Sequence, residues 1–289
     1  MTPGDYDFLR KLLKERSGLV LTGDKQYLVE SRLLPVSRRA GVAGLTGLIE
    51  KIRRPGNEQL VVEVVEAMAT NESLFFRDKI PFEHFRETIL PALLRLRAGR
   101  RRIRIWCAAA STGQEPYSLA MALKEMGPAL AGWRTEILAT DFSLDVLEKA
   151  KAGIYSQFEV QRGLPIQMLV KYFTQIGDMW QVAPEIRAMV QFRPFNLLND
   201  CAALGVFDVV FCRNVLIYFD AATKTEVLNR VARVIAADGY LVLGAAESVL
   251  GLTDSFRPIP DKRALYGPNL APPLAGSFPR PVAAFSRSR

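Results

Sequence analysis

The period of the hydrophobic pattern changes once along this chain, near Ile103, and that change limits the fold more than any other feature. Before it, "YDFLRKLLKERSG", "QYLVESRLLPVSRRAGV", "LTGLIEKIRR" and "NEQLVVEVVEAMA" place apolar residues three and four apart, the spacing of short amphipathic helices. After it, "RIRIWC", "TEILATD", "MVQFRPF", "FDVVFCR", "GYLVLGA" and "RALYG" read as strands, and Pro116 to Met126, Leu144 to Ala152 and Ala221 to Ala236 read as helices between them. Such alternation predicts an α/β fold with a mostly parallel, Rossmann-like sheet whose ligands bind at the carboxyl ends of the strands. The expected organisation is a small all-helical N-terminal domain over residues 1–75, a linker helix region over 76–101, an α/β domain over 102–267 and a flexible tail over 268–289. Pro35 should kink or end the second helix.

A chain of 289 residues has room for one large domain and a smaller partner. No run of about 18 apolar residues is present, and charges occur throughout the first twenty, so neither a membrane span nor a signal peptide is expected. The expected compartment is the cytoplasm. Cys107, Cys201 and Cys212 have no metal-ligand spacing and read as small buried hydrophobes, with no metal site expected. The net charge of +8 is concentrated: six arginines and no acid lie between Arg95 and Arg104. Clustered arginine suits phosphate, but no aromatic residues are interleaved here as a stacking platform requires. The alternatives are a solvated helix end facing its own carbonyls and a surface that steers an acidic protein partner.

The strand ends carry the chemistry. "RIRIWC" is followed by small residues from Ala108 to Gly113, a turn where a ligand can approach the backbone. Glu115 opens the next helix and favours a ligand with positive charge, or merely complements the helix dipole. Asp141 ends the second strand, where a carboxylate suits ribose hydroxyls. Asn196 follows the third and has an amide fit for an adenine edge, and Arg213, Asn214 and Tyr218 follow the fourth. Asp and Asn also cap helices, so each has a structural alternative. Polar residues at four successive strand ends favour a site.

Six blocks, "TNESLFFRD", "AAASTGQEPYSLAM", "ATDFSLDVLEKAKAGIY", "FNLLND", "FDVVFCRNVLIYFD" and "GYLVLGAAES", resemble in order and spacing the successive motifs of the CheR family of chemotaxis receptor glutamate methyltransferases. The resemblance covers roughly residues 5 to 266. It implies a class I methyltransferase sheet, S-adenosylmethionine as cofactor with S-adenosylhomocysteine as product, and a helical N-terminal domain that helps bind the receptor. Asn71, Ser73 and Arg77 match the family's "N-x-T-x-F-F-R" cofactor contacts. Glu115 and Asp141 match its cofactor-holding acids, Asn196 and Leu197 match the surroundings of the adenine, and Arg213 and Tyr218 match positions beside the reacting methyl. Ala109 and Asn214 complete the implied cofactor contacts, and Arg77 and Tyr218 are the implied catalytic pair. Ser73 stands where threonine is common, and Gln114 replaces the first acid of "GEEPYS", leaving Glu115 alone.

The implied substrate is a glutamate on the cytoplasmic methylation helices of a chemoreceptor, with neither nucleic acid nor membrane insertion involved and a monomer as the working unit. A glutamate is ionised near neutral pH and needs no general base. His84, in the expected linker, is read as structural. "FTQIGDMWQVAPEI" is short where some family members carry a receptor-pentapeptide loop, so this chain resembles the pentapeptide-independent type, with a small β-subdomain near 172–192. Two alternatives are a nucleic-acid methyltransferase, against which stands "RNVLIY" where base-amine methylation uses "D/N-P-P-Y", and a receptor-binding module without turnover.

Overall fold

The computed structural model describes residues 1–269. All but the first two residues of the expected tail lie outside that range. The first helix, α1 (Pro3–Ser17), is announced by Thr2, whose hydroxyl accepts from the Asp5 amide while the Asp5 carboxylate accepts from the Thr2 amide. It ends at Gly18, whose φ of 77° is left-handed. With α2 (Gln26–Arg39), α3 (Gly44–Arg53) and α4 (Glu58–Met68), it buries one core that includes Leu9, Leu13, Leu33, Leu48, Val64 and Met68. Pro35 does not end α2, which runs on to Arg39. The proline lies on the exposed side, where water can satisfy the Ser31 carbonyl that loses its amide partner.

The second unit is built on seven strands in the order β6-β2-β1-β7-β8-β10-β9. They are β1 (Arg102–Ala108), β2 (Arg134–Asp141), β6 (Val190–Pro194), β7 (Phe207–Cys212), β8 (Ile235–Leu243), β9 (Phe256–Pro258) and β10 (Leu265–Pro268). The first five pair in parallel, and β10 is antiparallel to both its neighbours. The order reverses between β1 and β7, which places a ligand crevice beyond their carboxyl ends. Alternation along β1 feeds two cores: Ile103, Ile105 and Cys107 face one side of the sheet, and Trp106 and Ala108 face the other. The buried Trp106 indole stacks on Phe207 with centroids 5.5 Å apart and donates to Thr140 Oγ1 at 2.9 Å, so its one polar atom is satisfied.

Two expectations need correction here. The segment 76–101 is no linker, because Phe82, Phe85, Ile89, Leu90 and Leu93 are buried in the same core as Ile103, Ile105 and Phe211. The helical core ends at Met68 and Phe75 already belongs to the α/β unit, so the change of core falls between them. Helical periodicity shows which face is apolar and is silent on which core receives it. The small antiparallel sheet, β3 (Ile154–Ser156), β4 (Phe173–Ile176) and β5 (Met179–Val182), also begins earlier than 172, and Val190 to Phe192 belong to the large sheet. A three-residue strand such as β3 is too short to display a period.

Four of the six clustered arginines are engaged in ion pairs within the molecule, and Arg97 alone of the six is buried. Arg97 is buried, donates to Asp208 at 2.8 Å and pairs with Asp238; Arg100 joins Asp208 at 2.6 Å. Arg102 and Arg104 converge on Glu136 at 2.8 and 3.2 Å. The pairs of Arg97 and Arg100 tie the segment that precedes β1 to β7 and β8, and those of Arg102 and Arg104 cross from β1 to β2. The picture of a solvated helix end therefore fails for Arg97.

Candidate active site

Every residue implied by the sequence motifs lines one crevice at the switch point between β1 and β7: Asn71, Ser73, Arg77, Ala109, Glu115, Asp141, Asn196, Leu197, Arg213, Asn214 and Tyr218. The turn after β1 explains the run of small residues. The Ala109 and Ala110 amides both donate to the Thr140 carbonyl, at 2.9 and 2.8 Å, and Ala109 and Ser111 take left-handed φ values of 72° and 50°. At Gly113, φ is 96° and a Cβ would come within 3.0 Å of both the Ala150 methyl and the Tyr155 hydroxyl.

Asp141 organises this turn. Its Oδ2 accepts from the Ser111 amide at 2.9 Å and its Oδ1 from the Ser143 amide at 3.1 Å. Burial pushes its carboxyl above the usual range, against the pull of those two amides. Glu115 is raised by burial as well, opposed by Arg213, whose Nη1 lies 2.8 Å from Glu115 Oε2. Two desolvated carboxylates in one crevice favour a ligand that donates hydrogen bonds or carries positive charge.

Arg213 does more than face the crevice. Its Nη2 donates to the Arg77 carbonyl at 2.9 Å and to Asp78 Oδ2 at 2.8 Å, and its guanidinium lies over the Phe82 ring, 5.6 Å from the centroid. Phe76, Asp78 and Lys79 all have left-handed φ values, so Arg77 sits in a strained turn that this buried cation holds. Asn196 differs from the sequence expectation. Its Nδ2 donates to the Arg16 carbonyl at 2.7 Å and its Oδ1 accepts from the Leu198 amide at 3.0 Å, so its side chain clasps the helical domain.

Sequence reasoning missed several wall residues. Ser17 and Leu19 reach the crevice from the end of α1, and no local signal marks them. Phe142 and Phe195 follow the ends of β2 and β6 and supply apolar walls; aromatic residues next to Asp141 and Asn196 were a usable signal. Asp78 lies beside Arg77 in the "FFRD" block, and Glu247 in "GAAES".

The strand order, with an antiparallel strand slotted beside β8 and acids beyond the first two strands, is that of a class I S-adenosylmethionine-dependent methyltransferase. Residues 71–265 match the CheR methyltransferase SAM-binding domain, and residues 4–69 match the CheR methyltransferase all-alpha domain. Chemotaxis protein methyltransferase 1 of Pseudomonas aeruginosa is 44% identical over 261 residues, covering 88% of this chain and 93% of that protein. Chemotaxis protein methyltransferase Cher2 of Pseudomonas putida is 42% identical over 263 residues, with 89% and 95% covered. The chemotaxis protein methyltransferase of Vibrio parahaemolyticus is 41% identical over 255 residues, with 87% and 92% covered. The chain belongs to the CheR methyltransferase family, and its cofactor is S-adenosylmethionine.

The donor set suits that cofactor. Acids that burial has raised match its ribose diol and ammonium, the bare turn after β1 admits close backbone approach, and the phenylalanine walls suit a purine. Among the described residues no helix is long and apolar enough to cross a membrane.

Proposed function

We propose that this methyltransferase esterifies glutamate side chains on the cytoplasmic methylation helices of chemoreceptors, as the names of its relatives suggest. The observation that carries the reading is that the buried acids of the crevice are already engaged, Asp141 by the Ser111 and Ser143 amides and Glu115 by Arg213, which leaves neither as a free base for an acceptor proton. An amine or hydroxyl acceptor must lose a proton, whereas a glutamate carboxylate is already a nucleophile at neutral pH. The one histidine, His84, does not line the crevice, and burial pushes its pKa down.

When bound, S-adenosylmethionine would supply an electrophilic sulfonium methyl for an acceptor carboxylate oxygen, with S-adenosylhomocysteine as the leaving group. Asp141 and the Ala109 turn would hold its ribose, and Glu115 would receive its ammonium group. Leu197, Phe142 and Phe195 enclose the adenine, and Asn71, Ser73 and Asn214 complete the wall. Arg77 orients the incoming carboxylate and Tyr218 fixes its angle by its hydroxyl. Opposite charges are neutralised along this reaction, so a site shielded from water favours the transition state over the separated ions. Positioning accounts for much of the remaining acceleration.

We further read the chain as a cytoplasmic monomer that acts without nucleic acid and without a receptor pentapeptide. The pairing of Arg97, Arg100, Arg102 and Arg104 with Asp208, Asp238 and Glu136 supports this reading, because it neutralises part of the most basic stretch. Tritium from methyl-labelled cofactor should pass to a chemoreceptor cytoplasmic fragment and be released as methanol by mild base. Label that resists base, or that appears on nucleic acid, would overturn the glutamyl ester.

A further inference from the structure

The loop that follows β7 carries Arg213, Asn214 and Tyr218, and it is gathered from within by a single side chain. Glu247, four residues beyond the end of β8 and buried, accepts five backbone amides. Its Oε2 takes the Gly244 amide at 2.7 Å and the Asn214 amide at 2.8 Å. Its Oε1 takes the amides of Val215 at 3.0 Å, Leu216 at 2.8 Å and Ile217 at 3.3 Å. Four consecutive amides pointing at one carboxylate require a sharp turn, and Asn214 provides it with a left-handed φ of 57°. The short 3₁₀ turn Leu216–Tyr218 begins directly on that anchor. A negative group at such a cluster of amides is favoured by both hydrogen bonding and charge.

The outer side of the same loop is fixed by the helical domain. The Tyr218 carbonyl accepts from the Val20 amide at 2.9 Å, and Asp220 pairs with Lys14 at 2.7 Å. Tyr218 therefore sits between an inner carboxylate anchor and an outer clamp. The inner anchor leaves no spare room: a Cβ on Gly244 would come within 2.7 Å of Glu247 Oε2 and 2.9 Å of Asn214 Nδ2.

We propose that Glu247 is a positioning residue for methyl transfer, which sets the pose of Tyr218 against the acceptor carboxylate by gathering the amides of Asn214 to Ile217. The proposal rests on the role given above to Tyr218. Glu247 does not line the crevice and works through the loop alone. A loosened loop costs little in cofactor binding, which is spread over many other walls, and much in transition-state geometry.

The test uses the full chain with a chemoreceptor cytoplasmic fragment as acceptor. Glu247→Gln keeps size and one acceptor oxygen but turns an NH2 donor toward the amides. It should lower kcat at least tenfold, about 1.4 kcal/mol, while the cofactor Kd from calorimetry stays within about threefold. In a double-mutant cycle, adding Tyr218→Phe to the Glu247→Gln protein should cost less than about threefold, although Tyr218→Phe alone costs tenfold. If Glu247→Gln does not fold, Gly244→Ala, which crowds the same carboxylate, is put through the same cycle. Unchanged kcat in the folded variant, or losses that multiply, would overturn the proposal and leave Glu247 a part of the fold only. A wild-type rate in Tyr218→Phe alone would instead remove the role of Tyr218, and the proposal with it.

Discussion

Asn196 and Arg16, 180 residues apart, are joined by a 2.7 Å hydrogen bond from the Asn196 amide to the Arg16 carbonyl at the rim of the cofactor crevice. The two domains thus share a wall of the site, and a residue read from sequence as an adenine contact acts through its side chain as their clasp. Asn196→Ala should release it at a cost of about 1 kcal/mol, close to a fivefold loss of cofactor affinity. Calorimetry showing unchanged affinity in the folded variant would mean that the clasp does not shape the crevice.

Asp141 should matter more. Its loss leaves the Ser111 and Ser143 amides without their acceptor and removes a charge from the site, so Asp141→Ala should weaken cofactor binding at least tenfold, in line with about 1.5–3 kcal/mol for a charged hydrogen bond. Unchanged binding in the folded variant would remove Asp141 from the site.

Cofactor affinity should also depend on pH. Burial raises the carboxyls of both Glu115 and Asp141, so on acidification they take up protons earlier than ordinary carboxylates, whose pKa values lie near 4. The affinity should begin to fall at a correspondingly higher pH, and Glu115→Gln should flatten that fall. Folding responds with the opposite sign: the native state holds these protons more tightly than the unfolded chain, so the protein without cofactor loses stability as pH rises through that window. A titration series carried down to the onset of acid unfolding with constant Kd would contradict the assignment.

Arg77→Ala and Tyr218→Phe should lower kcat more than they weaken cofactor binding, because an orienting contact is realised mainly in the transition state. With no base required, the rate should stay flat from about pH 6.5 to 8.5. His84 enters only through stability. Burial lowers its pKa, so the unfolded chain binds the proton more readily and stability declines as pH falls below about 6.5. A rising limb near pH 7 that disappears in His84→Gln would bring the histidine into the mechanism.

For receptor docking, the structure separates two arginines of α2. Arg32 donates to the carbonyls of Met68 and Ala69 at 2.6 and 3.1 Å, capping the end of α4, so its replacement should lower Tm. Arg38 is exposed, and Arg38→Glu should slow methylation of an acidic receptor helix without touching the cofactor Kd. Added salt should slow the wild-type rate too, since exposed charges are screened beyond about 8 Å at physiological ionic strength. Methylation indifferent to both changes would take α2 out of docking.

What could be read from sequence was whatever has a period or sits at a strand end. The runs "TEILATD" and "FDVVFCR" became β2 and β7 because each is a short, mostly apolar run with β-branched residues, as a strand buried on both faces requires, and their last residues fall at the crevice. Partnership was not legible. Nothing near Arg97 in sequence signals Asp208 or Asp238, more than 100 positions away. The amide of Asn196 looked free because the α1 terminus that occupies it lies at the other end of the chain, and nothing marked Glu247 because most of the amides it gathers belong to the loop after β7, about 30 positions earlier. Helical periodicity likewise showed that Phe82 and Phe85 were to be buried, without showing that the α/β core would take them.

The crevice draws its wall from Ser17 near one end of the chain and from a loop anchored by Glu247 near the other. During synthesis those two residues leave the ribosome 230 positions apart, which at about 5–20 residues per second separates them by roughly 10–50 s. The helical domain has its own core and can form early, but for that interval it stands without a completed cofactor site. A nascent or truncated chain that ends before Glu247 can therefore hold a folded helical domain while lacking the means to transfer a methyl group, so that the last step of synthesis is also the one that completes the site.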